Sequence, residues 1–454
     1  MNHEYDLLNQ PIPRLIRSLA VPTSVGFFFN TMFNVVDTFY GGLVSTQALA
    51  ALSLSFPVFF LIIAIGAGIS SGATALIAHA IGAGEEAEAR RYAVQTISFG
   101  LLNGLVVTFL GLLATPALFT LLGASGSYLA MASAYMNVIF SGTIFFLVNY
   151  VLNSILNASG DTRSFRNFLV FGFFLNLALD PWFLFGGFGM PALGLAGIAW
   201  ATVVVQAVGN GYLLTKVLKT GLLHGFSWRL LIPQRRPYRD LAHQGFPSSL
   251  NMLTVALGIF VITWFISRFG KDAVAAYGIA TRIEQIALLP VMGMNIATLA
   301  LVAQNSGARQ FDRVKETIAT VLKAGVMLMS IGTLTVFLGA APLMRLFTGD
   351  PAVVGIGVGY LRIESFVLAA YVILYASVAS LQGLKRPMFA LWLGLYRQII
   401  APPAVFFLLT EWLRWGLTGI WWGIFLVTWS AAGIALLFIR RTLRGLDNDG
   451  TLPI

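Results

Sequence analysis

Residues 21–51 read VPTSVGFFFNTMFNVVDTFYGGLVSTQALAA, and residues 246–276 read FPSSLNMLTVALGIFVITWFISRFGKDAVAA. The two stretches align without a gap at an offset of 225 residues. Pro22-Thr23-Ser24 falls on Pro247-Ser248-Ser249, and Val36-Asp37-Thr38-Phe39-Tyr40 falls on Val261-Ile262-Thr263-Trp264-Phe265. Ala48, Ala50 and Ala51 fall on Ala273, Ala275 and Ala276. Each stretch holds an apolar run of about 20 residues, the length that crosses the hydrocarbon core of a bilayer. A chain that repeats a membrane span in register, with the turn after it, is an internally duplicated membrane protein.

The register continues outward. Ala75-Leu76-Ile77-Ala78 matches Ala300-Leu301-Val302-Ala303, and Gly82-Ala83 matches Gly307-Ala308. Farther on, Gly194-Leu195-Ala196-Gly197-Ile198 resembles Gly416-Leu417-Thr418-Gly419-Ile420. Composition agrees. Of 454 residues, 57% are hydrophobic and only 10% charged, far below the roughly 25% charged residues of a soluble domain. The 46 glycines suit close helix contacts in a membrane. With no cysteine, disulfides and thiolate metal sites are excluded. His3, His79, His224 and His243 are scattered and form no metal spacing. The polar start MNHEYDLLNQPIP and the long first apolar run do not read as a cleavable signal peptide.

Hydropathy predicts twelve spans, near 14–41, 47–80, 93–121, 128–157, 166–187, 191–217, 241–268, 273–305, 316–344, 352–382, 388–411 and 415–440. Basic residues sort to one side: Arg14, Arg17, Arg90, Arg91, Arg163, Arg166, the 216–239 segment, Arg309, Arg313, Lys315, Lys385, Arg386, Arg440, Arg441 and Arg444. That is 20 of the 28 Lys and Arg, against four on the other side. The asymmetry predicts both termini in the cytoplasm and accounts for the +10 charge without nucleic acid as a partner. The expected architecture is all-α: two six-helix bundles related by pseudo-two-fold symmetry, 1–217 and 241–454, joined by a cytoplasmic linker at 218–240. Parallel six-span repeats are a layout of rocking transporters.

Four of the 18 acidic residues fall inside spans: Asp37, Asp180, Glu284 and Glu364. A carboxylate at mid-bilayer costs a few kcal/mol on insertion scales, so each is a functional candidate. Asp37 matches the apolar Ile262, while Asp180 and Asn176 fall near Pro402 and Gln398 in the local register. Acids present in one half only are not required by the scaffold. Asn176 precedes Asp180 by four residues and shares its helix face, Asn34 precedes Asp37 by three, and Asn153 precedes Asn157 by four. Desolvation disfavours the anion in an apolar, amide-lined cavity, so Asp37 and Asp180 are expected to exchange protons near physiological pH. Arg282 and Arg362 sit two residues before Glu284 and Glu364, and Arg397 and Lys323 lie in the same half. The two glutamates read either as a structural ion-pair network or as a second cation or substrate site. Pro22 and Pro247 each open a lobe and read as a static kink or a hinge.

Pro22-Thr-Ser, Val36-Asp37-Thr38, Ala48-Leu-Ala-Ala-Leu, Gly82-Ala-Gly84 and Gly160-Asp161-Thr162 together resemble the multidrug and toxic compound extrusion (MATE) family. Asp37 with Asn176 and Asp180 is similar to the DinF-like prokaryotic branch. The resemblance implies no enzymatic activity, a monomer in the cell inner membrane, and export of amphipathic or cationic small molecules in exchange for a cation. It implies a cation site at Asp37, Asn176 and Asp180, surrounded by Asn153, Tyr135 and Thr202, with bending of the first helix at Pro22. The coupling ion is expected to be H⁺, with Na⁺ as the alternative, and no cofactor is expected. A flippase for lipid-linked saccharides is the second transport reading. Twelve spans and N-terminal acids speak against it, and no DDxxD or HExxH motif supports an enzyme.

Overall fold

The computed structural model describes residues 6–187 and 189–449, and these are helical nearly throughout. His3 of the sequence reading lies outside them. The first half comprises α1 (Ile12–Val44), α2 (Thr46–Gly82), α3 (Glu86–Leu121), α4 (Gly126–Ser141), α5 (Thr143–Ala158), α6 (Arg163–Phe185) and α7 (Leu195–Lys219). The second comprises α8 (Arg235–Ser267), α9 (Lys271–Ala287), α10 (Leu289–Gly307), α11 (Phe311–Arg345), α12 (Pro351–Glu364), α13 (Leu368–Gly383), α14 (Met388–Leu395), α15 (Ala401–Phe407) and α16 (Gly416–Asp449). α12 and α13 form one span across a single 3₁₀ turn, and α14 and α15 form another interrupted by π turns at Tyr396–Ile400 and Leu408–Trp412. The α4–α5 pair bends by 45° and the α9–α10 pair by 46°; counting each pair as one span gives twelve. The bends fall in the fourth and eighth spans, which the apolar pattern alone reads as single segments. They do not match in the repeat: at the offset of 225 the bent α9–α10 pair corresponds to the continuous α2.

The motifs of the sequence are helix-end chemistry. Ser45 caps α2 by accepting from the Ala48 amide at 3.0 Å. Gly84, at φ 73°, supplies the left-handed residue that ends α2. In Gly160-Asp161-Thr162, Gly160 turns the chain at φ 83°, and Asp161 Oδ1 accepts from the Ser164 amide at 2.9 Å. α2 has 37 residues, about 55 Å at 1.5 Å per residue, so it projects well beyond a ~30 Å hydrocarbon core.

The helices divide into two compact units. Of the described residues, one contains those within 25–249, the other 7–24 and 250–449. The division does not fall in the linker. The opening turns of α1 belong with the second unit, and the opening turns of α8 belong with the first. Both crossings fall within three residues of the repeated prolines. The first unit's core gathers Ile62, Phe119, Met136, Ile139, Leu147 and Ile198. The second gathers Ile266, Ile283, Tyr360, Leu361, Phe406 and Trp421.

The repeated Pro-hydroxyl-hydroxyl motif explains itself at these crossings. Proline removes a helix hydrogen bond. In α1, Thr23 and Ser24 turn their hydroxyls back onto the carbonyls of Leu19 and Ala20, each at 2.8 Å. In α8, Ser248 donates to the Gln244 carbonyl at 3.2 Å. Such back-bonding satisfies polar groups locally and favours a bend.

Candidate cation-coupling site

Asp37 lies on α1, Asn176 and Asp180 lie one turn apart on α6, and Thr202 lies on α7. All four belong to the first unit. The Asn176 side-chain nitrogen donates one hydrogen bond to Asp37 Oδ1 at 2.8 Å and another to Asp180 Oδ2 at 2.7 Å. A single amide thus bridges two carboxyl groups with both of its N–H bonds. The two carboxyl groups are therefore close enough to act on each other electrostatically. Thr202 Oγ1 donates to the Ile198 carbonyl at 3.0 Å, and Asp37 Oδ2 stands farther off at 3.4 Å. Asn176 and Asp180 are fully buried and Asp37 is 9% exposed. Tyr135 of α4 is buried within electrostatic reach of both acids.

Two features set the chemistry. No basic side chain neutralises either acid among the described residues: the bonded partners are an amide and, more distantly, a hydroxyl. Asp180 Oδ1 and Asn176 Oδ1 are also buried acceptors with no hydrogen-bond partner. Buried acceptors are costly when unpaired. Unpartnered oxygen acceptors beside two acids can receive a positive charge, either a proton or a hard metal cation.

The other residues singled out from the sequence divide. Asn153 is buried on α5 with its carbonyl oxygen unpartnered. Asn34 stands apart: it is exposed, and its amide donates to the Asn30 carbonyl of its own helix at 3.0 Å. Three residues of helix place it beside Asp37 on the cylinder, but a local backbone bond holds it away from the acids. Pro22 lies in the other unit, at the crossing of α1. The sequence reading missed Asn149, whose amide donates to the Gln206 carbonyl of α7 at 3.1 Å. The signal was available, because Asn149, Asn153 and Asn157 form an i, i+4, i+8 stripe on α5.

In the second unit, among the described residues, no ion pair within 4 Å joins Glu284 or Glu364 to a basic side chain, although Arg397 lies within electrostatic reach of both. Tyr360 donates to Glu284 Oε2 at 2.8 Å, and Tyr371 lies within electrostatic reach of Glu284. Glu364 is 2% exposed, and neither of its carboxyl oxygens has a partner. Arg397 instead sits 5.4 Å from the centre of the Tyr371 ring, and Arg362 sits 5.7 Å from that of Phe337. Residues two apart on a helix diverge, and the cations satisfy themselves on aromatic faces. The result is an acid–tyrosine cluster in which Tyr277, Tyr360 and Trp421 pack ring on ring.

Duplicated six-span units with polar sites buried inside the helices define a polytopic transporter of the secondary type. The MatE family model matches residues 22–182 and again 247–407, so the chain belongs to the MatE (MATE) family. The duplicated match coincides with the repeat at offset 225. Over 403 residues it is 29% identical to a FAD transporter of Shewanella oneidensis, covering 88% of each chain. Over 437 residues it is 28% identical to a probable multidrug resistance protein NorM of Thermotoga maritima, covering 94% of this chain and 90% of that one. Among solved structures, it superposes with TM-score 0.90 on the outward-facing conformation of a multidrug resistance MATE family transporter of the MOP superfamily. That pair is 27% identical, with 97% of this chain and 98% of the other covered. A MOP superfamily transporter from Pyrococcus furiosus gives TM-score 0.90 at 26% identity with the same coverage.

Proposed function

We propose that the protein exports amphipathic organic compounds across the cell inner membrane in exchange for protons. Asp37, Asn176 and Asp180 form the coupling site. The observation that carries this reading is the Asn176 amide shared between two buried acids that lack a basic counter-ion. Two carboxyl groups bridged by one amide resist double ionisation, so the singly protonated pair is the low-cost state and release of that proton is coupled to what occupies the site. The distribution of Lys and Arg supports a cytoplasmic location for both termini.

Linkage fixes the direction of coupling. Export against uptake of protons requires that protonation weaken substrate binding. Neutralising Asp37 and Asp180 removes attraction for a cationic substrate. It also changes the acceptors available to Asn176, and with them the hold of α6 on α1. The crossings of α1 and α8 near Pro22 and Pro247 are where the chain must flex if the units rock.

The relatives support two substrate readings. Multidrug resistance proteins recur among them; the FAD transporter favours a flavin nucleotide as a second reading. Proteoliposomes with separately imposed proton and sodium gradients test both. A proton gradient alone should drive uphill export of a drug panel or of FAD, and Asp37→Asn should abolish that coupling. Full export driven by sodium alone would reject the proton assignment.

A further inference from the structure

The linker between the units is part of the first unit, pinned along α3. The Gln95 side chain donates to the carbonyls of Leu230 and Ile232 at 2.6 and 3.0 Å and accepts from the Gln234 amide at 2.9 Å. Tyr92 donates to Asp240 at 2.7 Å, and Tyr238 packs edge-on against Phe99 at 5.1 Å. Beside this junction lies a cavity of about 360 Å³, which the linker roofs.

The lining is amphipathic. Arg90, Arg91 and His224 supply cationic and donor groups, while Leu222, Phe226 and Leu230 supply an apolar wall. Arg91 is committed, donating through Nε to Gln234 at 2.6 Å. Arg90 is not: its terminal nitrogen meets Glu86 at 3.2 Å, but its Nε is buried without a partner. A buried guanidinium N–H left unpaired is costly and marks a place for an acceptor. The surrounding segment reinforces the charge, since residues 216–240 carry Lys216, Lys219, Arg229, Arg235, Arg236 and Arg239 against the single acid Asp240.

The same segment presents Trp228 at 79% and Ile232 at 64% exposure. Trp228 is braced edge-on by Phe226 at 5.3 Å. An aromatic and an aliphatic anchor alternating with arginines is the pattern of a segment lying in a membrane interface. Basic pockets of this kind, beside membrane-spanning helices on the cytoplasmic side, take anionic lipid head groups.

We propose that this cavity binds the phosphate of an anionic phospholipid from the cytoplasmic leaflet. Arg90 and His224 grip the head group, and the Leu222–Phe226–Leu230 wall covers its glycerol and first methylenes. The leaflet assignment rests on the orientation proposed above; the site itself does not depend on proton coupling.

The full chain, purified and delipidated, is titrated with phosphatidylglycerol, phosphatidylcholine and free glycerol phosphate. Binding is read by native mass spectrometry and the shift in Tm. Phosphatidylglycerol should bind in preference to phosphatidylcholine. Arg90→Gln should weaken that binding about tenfold, the loss of one charge-assisted hydrogen bond, and Arg90→Lys should recover part of it. Asp37→Asn should bind lipid like the wild type, which separates this site from the transport reading. Equal binding of the two lipids overturns the proposal, as does an Arg90→Gln variant that retains phosphatidylglycerol. Glycerol phosphate competing at equal concentration overturns the lipid as the source.

Discussion

Gly293 of α10 lies directly against Ser24 of α1, so that a Cβ on the glycine would meet the serine hydroxyl. The same relationship recurs one repeat earlier, where Gly68 of α2 lies against Ser249 of α8. Gly68 and Gly293 are 225 residues apart, as are Ser24 and Ser249. The two units therefore receive each other's opening helix turns through the same glycine–serine seat. Asn305 and Arg313 tether the exchanged N-terminal segment, donating to the Leu7 carbonyl at 3.3 Å and, from Arg313, to the Gln10 carbonyl at 2.8 Å.

Gly68→Ala should destabilise the protein by about 1–3 kcal/mol, the usual cost of overpacking. A Cβ there would stand 2.7 Å from both the Gly245 carbonyl and the Ser249 amide, which are backbone and cannot swing aside. Gly42→Ala is the control, because a Cβ at Gly42 meets nothing within 4 Å. Its helix propensity gain of up to about 1 kcal/mol should leave it neutral or slightly stabilised. Thermal and denaturant unfolding of the two variants in the same detergent should separate in opposite directions.

Asn176→Ala should cost about 1.5–3 kcal/mol, because hydrogen bonds to acidic groups are lost and buried acceptors remain. The effect should not add to that of Asp37→Ala. Both substitutions break the same 2.8 Å bond, so the double-mutant cycle should show a coupling of about 1 kcal/mol or more. Strict additivity would mean that Asn176 does not act through Asp37.

Substrate affinity should rise with pH and fall as protons are taken up. If the substrate-bound form carries fewer protons than the free form, raising pH favours it and acidification releases substrate. Asp37→Asn and Asp180→Asn should each flatten the pH profile of equilibrium binding. Thr202→Val should leave the slope largely intact, since the hydroxyl's shorter bond is to the Ile198 carbonyl rather than to Asp37. Binding titrations across the physiological range, without any gradient, check this independently of transport.

The spans were legible because hydropathy is a property of residues in order. The duplication was legible because Pro22, Ala48 and Ala75 keep one register with Pro247, Ala273 and Ala300. The pairing of Asn176 with Asp180 followed from helix periodicity. What the sequence could not disclose was which unit a helix end joins, because exchange of the α1 and α8 openings leaves no trace in composition. It also misplaced side chains whose alternatives are local. Asn34 bonds its own backbone, and Arg362 and Arg397 lie over aromatic rings. Gln398, the repeat counterpart of Asn176, lies buried in a π turn with its side chain against Gly258. The second unit thus retains the amide position without the acids.

Glu364→Gln should be at least as stable as the wild type. Neither oxygen of this carboxyl group has a partner, although the side chain is almost wholly buried. Folding therefore gains no hydrogen bond from its charge and must pay the desolvation of any anion there. Glutamine keeps the shape and removes that cost. Tyr360→Phe is the contrasting change, because it strips Glu284 of a donor at 2.8 Å; it should lower stability by about 1–3 kcal/mol. If the cluster is structural, Glu364→Gln should export substrate at the wild-type rate with the wild-type response to pH. A stable Glu364→Gln protein with altered proton or sodium dependence would make Glu364 a second cation site.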